Sequence, residues 1–176
     1  MQIKTIALDK QNVIALIQFT ALLAVSILAP LFHYQVLTGP IVNACLFIAT
    51  AILGVQAGIM LGLLPSLIAL SVGTLPAPLA PMVPFIMVSN AILVVVFAYF
   101  NPHTKQSYGV GAIAVIWASI LKFLFLFSAS FIVLHLIAQK PVAQKASQMM
   151  SWPQLATALL GSILTYLFFI AIKRRV

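Results

Sequence analysis

The sequence predicts an all-α, polytopic membrane protein of about six transmembrane helices, with a proline-rich loop between the third and the fourth. Three observations carry that prediction. Residues 11–104 contain no Asp, Glu, Lys or Arg, and Asp9 is the one acidic side chain in the chain. Of the 176 residues 64% are hydrophobic and 6% charged, with a mean hydropathy of +1.20, so the mixed-sign, hydrated exterior of a soluble domain cannot be assembled. The apolar runs are long and lack the strict alternation of a barrel strand. Hydrocarbon offers the backbone no hydrogen-bond partner, and such runs must then close their bonds within helices. About six spans of roughly 20 residues use up the length, so residues 1–176 are expected to be a single transmembrane helical domain.

The first span is expected over 12–32, ending near Pro30. The polar stretch 33–39 forms the first loop, and Gly39-Pro40 punctuates it. Spans over 41–54 and 57–72 have only Val55 and Gln56 between them, which predicts a tight helical hairpin of two short helices. Prolines at 76, 78, 81 and 84 remove too many N–H donors for a regular helix, so this stretch is read as a structured loop or re-entrant segment. The fourth span covers 85–100. After a polar connector from Asn101 to Ser107, the fifth covers 109–138, about 45 Å at 1.5 Å per residue, and must tilt or project. The most polar loop follows, at 139–151, and the sixth span runs over 152–172 before Lys173, Arg174 and Arg175.

Net charge +8 would point to nucleic acid in a soluble protein. Here the basic residues occupy the ends and short loops, where they set topology. With both termini cytoplasmic, Lys4, Lys10, Lys105, Lys173, Arg174 and Arg175 lie inside against Lys140 and Lys145 outside, the orientation the positive-inside rule favours. The first hydrophobic run reads as retained, since no short apolar region with a small-residue cleavage site is evident. Five spans, or a re-entrant third segment, is the alternative, and it moves the chain ends to opposite faces.

That orientation gives depth to the polar residues within the spans. Asn43, Asn90, His135 and Gln154 all fall in the outer half, beneath the first and the proline-rich loops, with Trp152 an interfacial anchor. Each taken alone is equally well an interhelical hydrogen-bonding residue; their shared depth points to an outward pocket. Lys122 is the sharpest signal. An ammonium at mid-membrane is costly and faces a cavity or a partner, or else snorkels towards the headgroups. No carboxylate within the spans can pair with it, so it must use water, backbone carbonyls, hydroxyls, a bound anion or another subunit, or remain neutral. Trp117, Phe123 and Phe125 offer it aromatic faces, or are lipid-facing bulk. Gly54, Gly58 and Gly62 fall four apart, with Thr50 before and Ser66 after in the same register. This is a close-packing signal, part of which is able to admit a partner subunit. Thr20 and Ala24, with Ala21 beside them, form a second, weaker small-residue patch.

The inventory also excludes. No H-E-x-x-H, G-x-S-x-G or paired carboxylates occur, so an autonomous enzyme is not expected. Carboxylate-based ion coupling lacks its carboxylates. Lone Cys45 forms no intramolecular disulfide and cannot hold an iron–sulfur cluster. With His33, His103 and His135 it matches no metal-ligand spacing. No cofactor and no resident metal are expected.

Thr38-Gly-Pro-Ile-Val-Asn43, the Leu53-Gly54, Gly58, Gly62 run, the Leu75-Pro-Ala-Pro-Leu-Ala-Pro-Met-Val-Pro-Phe85 stretch and Ser89-Asn90-Ala91, together with a lysine in the fifth span, resemble the substrate-binding S component of an energy-coupling factor (ECF) transporter. The resemblance covers most of residues 12–172. It implies a six-helix subunit that binds a vitamin, a vitamin precursor or a metal ion from outside and associates with a transmembrane coupling subunit and two cytoplasmic ATPases. It also implies docking through small residues of the first helix, of which Thr20 and Ala24 supply an approximate version. A phosphate-binding G-x-x-x-x-G-K-[ST] loop is missing, so energy would come from partners. The chain also resembles short bacterial membrane proteins named iron hydrogenase, a name one cysteine does not justify chemically. As the alternative function, a membrane anchor of a redox complex would use Lys122 and the glycine face for subunit packing. The leading expectation is capture of a small solute from outside the cell membrane. Asn43, Asn90, Trp117, Lys122, His135 and Gln154 would bind it, while Thr20, Ala24, Gly54, Gly58 and Gly62 would contact a partner. Lys122 favours an anionic or carbonyl-bearing solute over a metal.

Overall fold

The computed structural model describes residues 9–32, 34–73, 75, 77–101, 111–136, 144 and 147–173. Among them the fold is all-helical, with no strand. Its long helices are α1 (Lys10–Leu28), α2 (Gln35–Leu53), α3 (Val55–Ser71), α4 (Val83–Phe100), α5 (Ala112–Leu136) and α6 (Trp152–Lys173). Five segments are long and apolar enough to cross a membrane: Lys10–Phe32, Val36–Leu53, Leu79–Phe100, Ala112–Val133 and Ser147–Ile172. The chain is thus a multi-pass membrane protein. Helix α3 is equally apolar but has 17 residues, about 25 Å of rise against a hydrocarbon core of about 30 Å.

Two local expectations are corrected. Most of the polar stretch after His33 is helix, because α2 starts at Gln35 and carries Pro40 inside it. Leu37 and Thr38 donate backbone N–H bonds to Tyr34 O at 3.0 and 2.9 Å, and Thr38 Oγ1 donates to Ala29 O at 3.0 Å. Pro40 therefore forfeits a single bond, to the Val36 carbonyl, in a turn already closed. The hairpin between α2 and α3 is tighter than expected. Val55 and Gln56 belong to α3, and Gly54 alone makes the connection, at φ 93° and ψ 176°. That backbone region is open to glycine and strained for other residues. Gly54 N–H caps Thr50 O at 3.1 Å while Gly54 O receives Gly58 N–H at 3.2 Å, so one residue satisfies both helix ends.

The proline-rich stretch becomes a 3-10 helix at Ala77–Met82, and Pro84 sits in the first turn of α4, where its missing donor costs nothing. Leu75, Leu79 and Val83 are buried here against Ala69, Leu70, Ile86 and Met149, so the segment lies across the end of α3 and α4. Helix α5 has 25 residues, about 37 Å. Of the rest of the expected 109–138 span, Gly111 precedes the helix and residues 109, 110, 137 and 138 lie outside the described residues, as do the basic residues Lys4, Lys105, Lys140, Lys145, Arg174 and Arg175.

Helix α2 is the axis of the bundle. Residues 43–50 are buried at every position, whereas only 17% of the Lys10–Phe32 window is buried. It packs most extensively on α6 and also on α1, α3 and α4, and α4 packs in turn on α5. With lipid as apolar as the interior, contact there comes from close approach of small residues and not from apolar burial. A Cβ on Gly58 would collide with Thr50 Oγ1 and Val94 of α4. One on Gly62 would lie 2.9 Å from Asn90 Cβ, and one on Gly161 would lie 2.7 Å from Asn43 Cβ. The glycine register is therefore spent on packing inside the chain: Gly58 and Gly62 are covered by α2 and α4 and present no face to a partner subunit, which corrects that expectation. Phe47 and Phe97 fill the centre edge to face, 4.9 Å between centroids.

Candidate functional site

The bundle positions three polar side chains from three helices at one depth. Asn43 lies in the third turn of α2, Asn90 in the middle of α4 and Lys122 in the middle of α5; all three are 2–3% exposed. Lys122 Nζ donates to Asn43 Oδ1 at 2.6 Å and to Asn90 Oδ1 at 2.8 Å. Asn90 Nδ2 donates to Gly62 O of α3 at 2.8 Å, which fixes the amide with its oxygen towards the ammonium. That bond needs the glycine at 62, since the Asn90 side chain occupies the space a Cβ would take.

The lysine therefore points inward and does not snorkel. It is solvated by amide dipoles, and a dipole is not a counterion. Asp9, the chain's one acid, precedes α1 at the far end of the bundle from the cavity that Pro30 reaches. In the protonated form Nζ carries three hydrogens, of which the asparagines take two. Asn43 Nδ2 has no partner among the described residues.

Above this cluster is a cavity of about 200 Å³. Its walls come from the end of the bundle where α1 meets α2, α3 meets the proline-rich 3-10 segment, and α6 begins. Lys122, Asn43 and Asn90 form its deepest part. Gln154 and Ser66 add polar groups higher up, and Val42, Leu75, Ile86, Met149 and Met150 make an apolar wall. Gln154 Nε2 is held by Met149 O at 3.2 Å and lies 3.8 Å from Met150 Sδ, so its carbonyl oxygen is the end left for a ligand. Tyr34, 73% exposed, stands at the rim.

Of the residues expected from the sequence, Asn43, Asn90, Lys122 and Gln154 meet in this one cavity. Trp117 does not. Five residues before Lys122, it sits about 140° around the helix, is 47% exposed and stacks on Phe100 at 6.4 Å. Phe123 and Phe125 are also occupied elsewhere, by Trp152 at 5.5 Å and Phe85 at 6.5 Å. The His135 side chain lies outside the described residues, on a turn about 20 Å of rise beyond Lys122. Thr20 and Ala24 lie on the exposed face of α1. The residues sequence reasoning did not single out for the cavity are Ser66, Tyr34, Thr38, Met149 and Met150. Ser66 had a usable signal, because it continues the register of Gly58 and Gly62 and so shares their inward face. Among the described residues no three His, Cys, Asp or Glu side chains gather to hold a metal ion. No protein-family model, curated protein or solved structure matches the chain.

Proposed function

We propose that this protein is a membrane subunit that captures a small solute from outside the cell and hands it to partner subunits for ATP-driven uptake, the role of the S component it resembles. One observation carries the reading: a buried lysine, held by two asparagines and lacking a carboxylate, forms the base of a cavity at the end of the bundle. A lysine kept only for packing has no need of a cavity, and intramembrane ionisable groups of this kind serve substrates or ions. The fold supports the reading further if α3 counts as a sixth crossing. Chain ends and Lys105 then share the cytoplasmic side, and the cavity faces outward. Energy would come from an ATPase pair and a coupling subunit, with the exposed Thr20 and Ala24 face of α1 available for docking.

The test is to purify the protein from its own membrane and identify co-purifying small molecules by mass spectrometry. A single compound retained by the wild type and lost on Lys122→Ala or Asn90→Ala, together with recovery of ATPase subunits, supports capture. Repeatedly empty preparations that bring down redox subunits would make the protein an anchor instead.

A further inference from the structure

Helical hydroxyls in this bundle have a habit that Ser66 breaks. Ser26, Thr50, Ser71 and Thr165 donate to the carbonyl four residues back, and Ser89, Ser130 and Ser162 to the one three back. Ser66 and Ser119 are the buried hydroxyls with no partner among the described residues. Of the two, only Ser66 lines the cavity; the residue is 8% exposed but its Oγ is itself buried, so the hydroxyl meets a solute in the cavity by turning about χ1. Asn90 closes one of these two routes. The carbonyl four residues before Ser66 is Gly62 O, which already accepts the helical N–H and Asn90 Nδ2, and a carbonyl has two lone pairs. The bond that aims Asn90 Oδ1 at Lys122 thus also denies Ser66 the acceptor four residues back, and the hydroxyl, one helical turn of about 5.4 Å beyond Gly62 along α3, does not use Leu63 O three back either. With Lys122 protonated, the cavity offers its third ammonium proton and, after that turn, the Ser66 hydroxyl, beside the amide N–H groups of Asn43, and a positive charge that no carboxylate lining the cavity balances.

Resting on the capture reading, we propose that the solute is a small organic monocarboxylate, with one carboxylate oxygen on Lys122 Nζ and the other on Ser66 Oγ. The ligand would supply the counter-charge that the chain's composition withholds. Lys122 Nζ and Ser66 Oγ give one donor to each of the two oxygens of a carboxylate. A phosphate ester brings more oxygens and a second negative charge that this largely apolar cavity has nothing to meet. The body of the solute lies against Val42, Ile86, Met149 and Met150, and methionines adapt to an irregular apolar outline. Since a cavity of about 150 Å³ takes benzene, one of about 200 Å³ encloses about eight non-hydrogen atoms.

The probes are benzoate and hexanoate against their neutral isosteres benzamide and hexanamide, titrated calorimetrically into the protein in phosphatidylcholine nanodiscs with empty discs subtracted. The expected result is that the acids bind at least tenfold more tightly than the amides. Lys122→Met should abolish that preference, and Ser66→Ala should weaken the acids about fivefold to tenfold. Ser66→Ala removes an unpartnered hydroxyl and should fold normally, so it decides the matter even if the lysine variant does not fold. Equal binding of acid and amide, or an acid preference untouched by Ser66→Ala, overturns the monocarboxylate assignment and leaves capture standing. If the wild type binds none of the four, the assignment also fails, and the mass-spectrometric search for a co-purified solute decides separately whether capture fails with it.

Discussion

Lys122 sits where a lone ammonium is expensive, and it is held by two amide oxygens 2.6 and 2.8 Å away. Removing either oxygen leaves the buried Nζ with one partner fewer. Asn43→Ala and Asn90→Ala should each lower stability by about 1–3 kcal/mol, read by thermal or denaturant unfolding in detergent. Since the groups form one network, the cost of Asn43→Ala should shrink by about 0.5 kcal/mol or more in a Lys122→Met background; strictly additive losses would mean that the two side chains act independently. Gly62→Ala tests the support of the cluster. Its new Cβ would stand 2.9 Å from Asn90 Cβ, so an overpacking cost of about 1–3 kcal/mol is expected, with loss of the co-purifying solute as Asn90 shifts off the lysine. Asn43, Asn90, Lys122 and Gln154 were legible from the sequence because a polar residue inside an apolar run has few places to go. Trp117 was misjudged because its nearness in sequence to Lys122 hid an angular separation that puts it on the lipid side.

Among the elements, the α2–α3 hairpin depends on one residue. Nothing lies within 4 Å of a Cβ built on Gly54, yet its φ is +93°, so Gly54→Ala carries a purely conformational cost. The expected loss is about 1–3 kcal/mol of stability with solute affinity unchanged, because the cavity lies at the opposite end of α2. A fall in affinity of the folded variant would show that the hairpin and the site are coupled. The apolar runs and proline positions marked five of the six long helices closely. They failed at the start of α2, where Gly39 and Pro40 read as loop punctuation. In the fold those two residues allow α6 to approach, since a Cβ on Gly39 would lie 2.7 Å from Thr157, and a tolerance created by a neighbouring helix leaves no local trace.

The whole molecule divides into a cavity end and a packed end, and the outward direction of the first is testable by labelling. Cys45 is the lone cysteine and is buried, so a Cys45→Ala background provides a silent starting point. There, Tyr34→Cys at the cavity rim should react with a membrane-impermeant maleimide in intact cells, whereas Gln11→Cys at the start of α1 should react only in inverted vesicles. The reverse pattern would turn the cavity to the cytoplasm and remove uptake as its purpose.

The sequence by itself determined that the chain lives in a membrane and crosses it as helices. Charge scarcity and apolar runs are properties of composition, and lipid permits few other solutions. It also determined that no carboxylate within the spans could pair with Lys122, because the chain's one acid, Asp9, precedes the first of them. Only the tertiary structure decided what surrounds that lysine. Asn43 and Asn90 are 47 residues apart in the chain, and their convergence depends on Gly62 and Gly161 letting backbones close to contact, a matter of helix rotation and approach that no single span encodes.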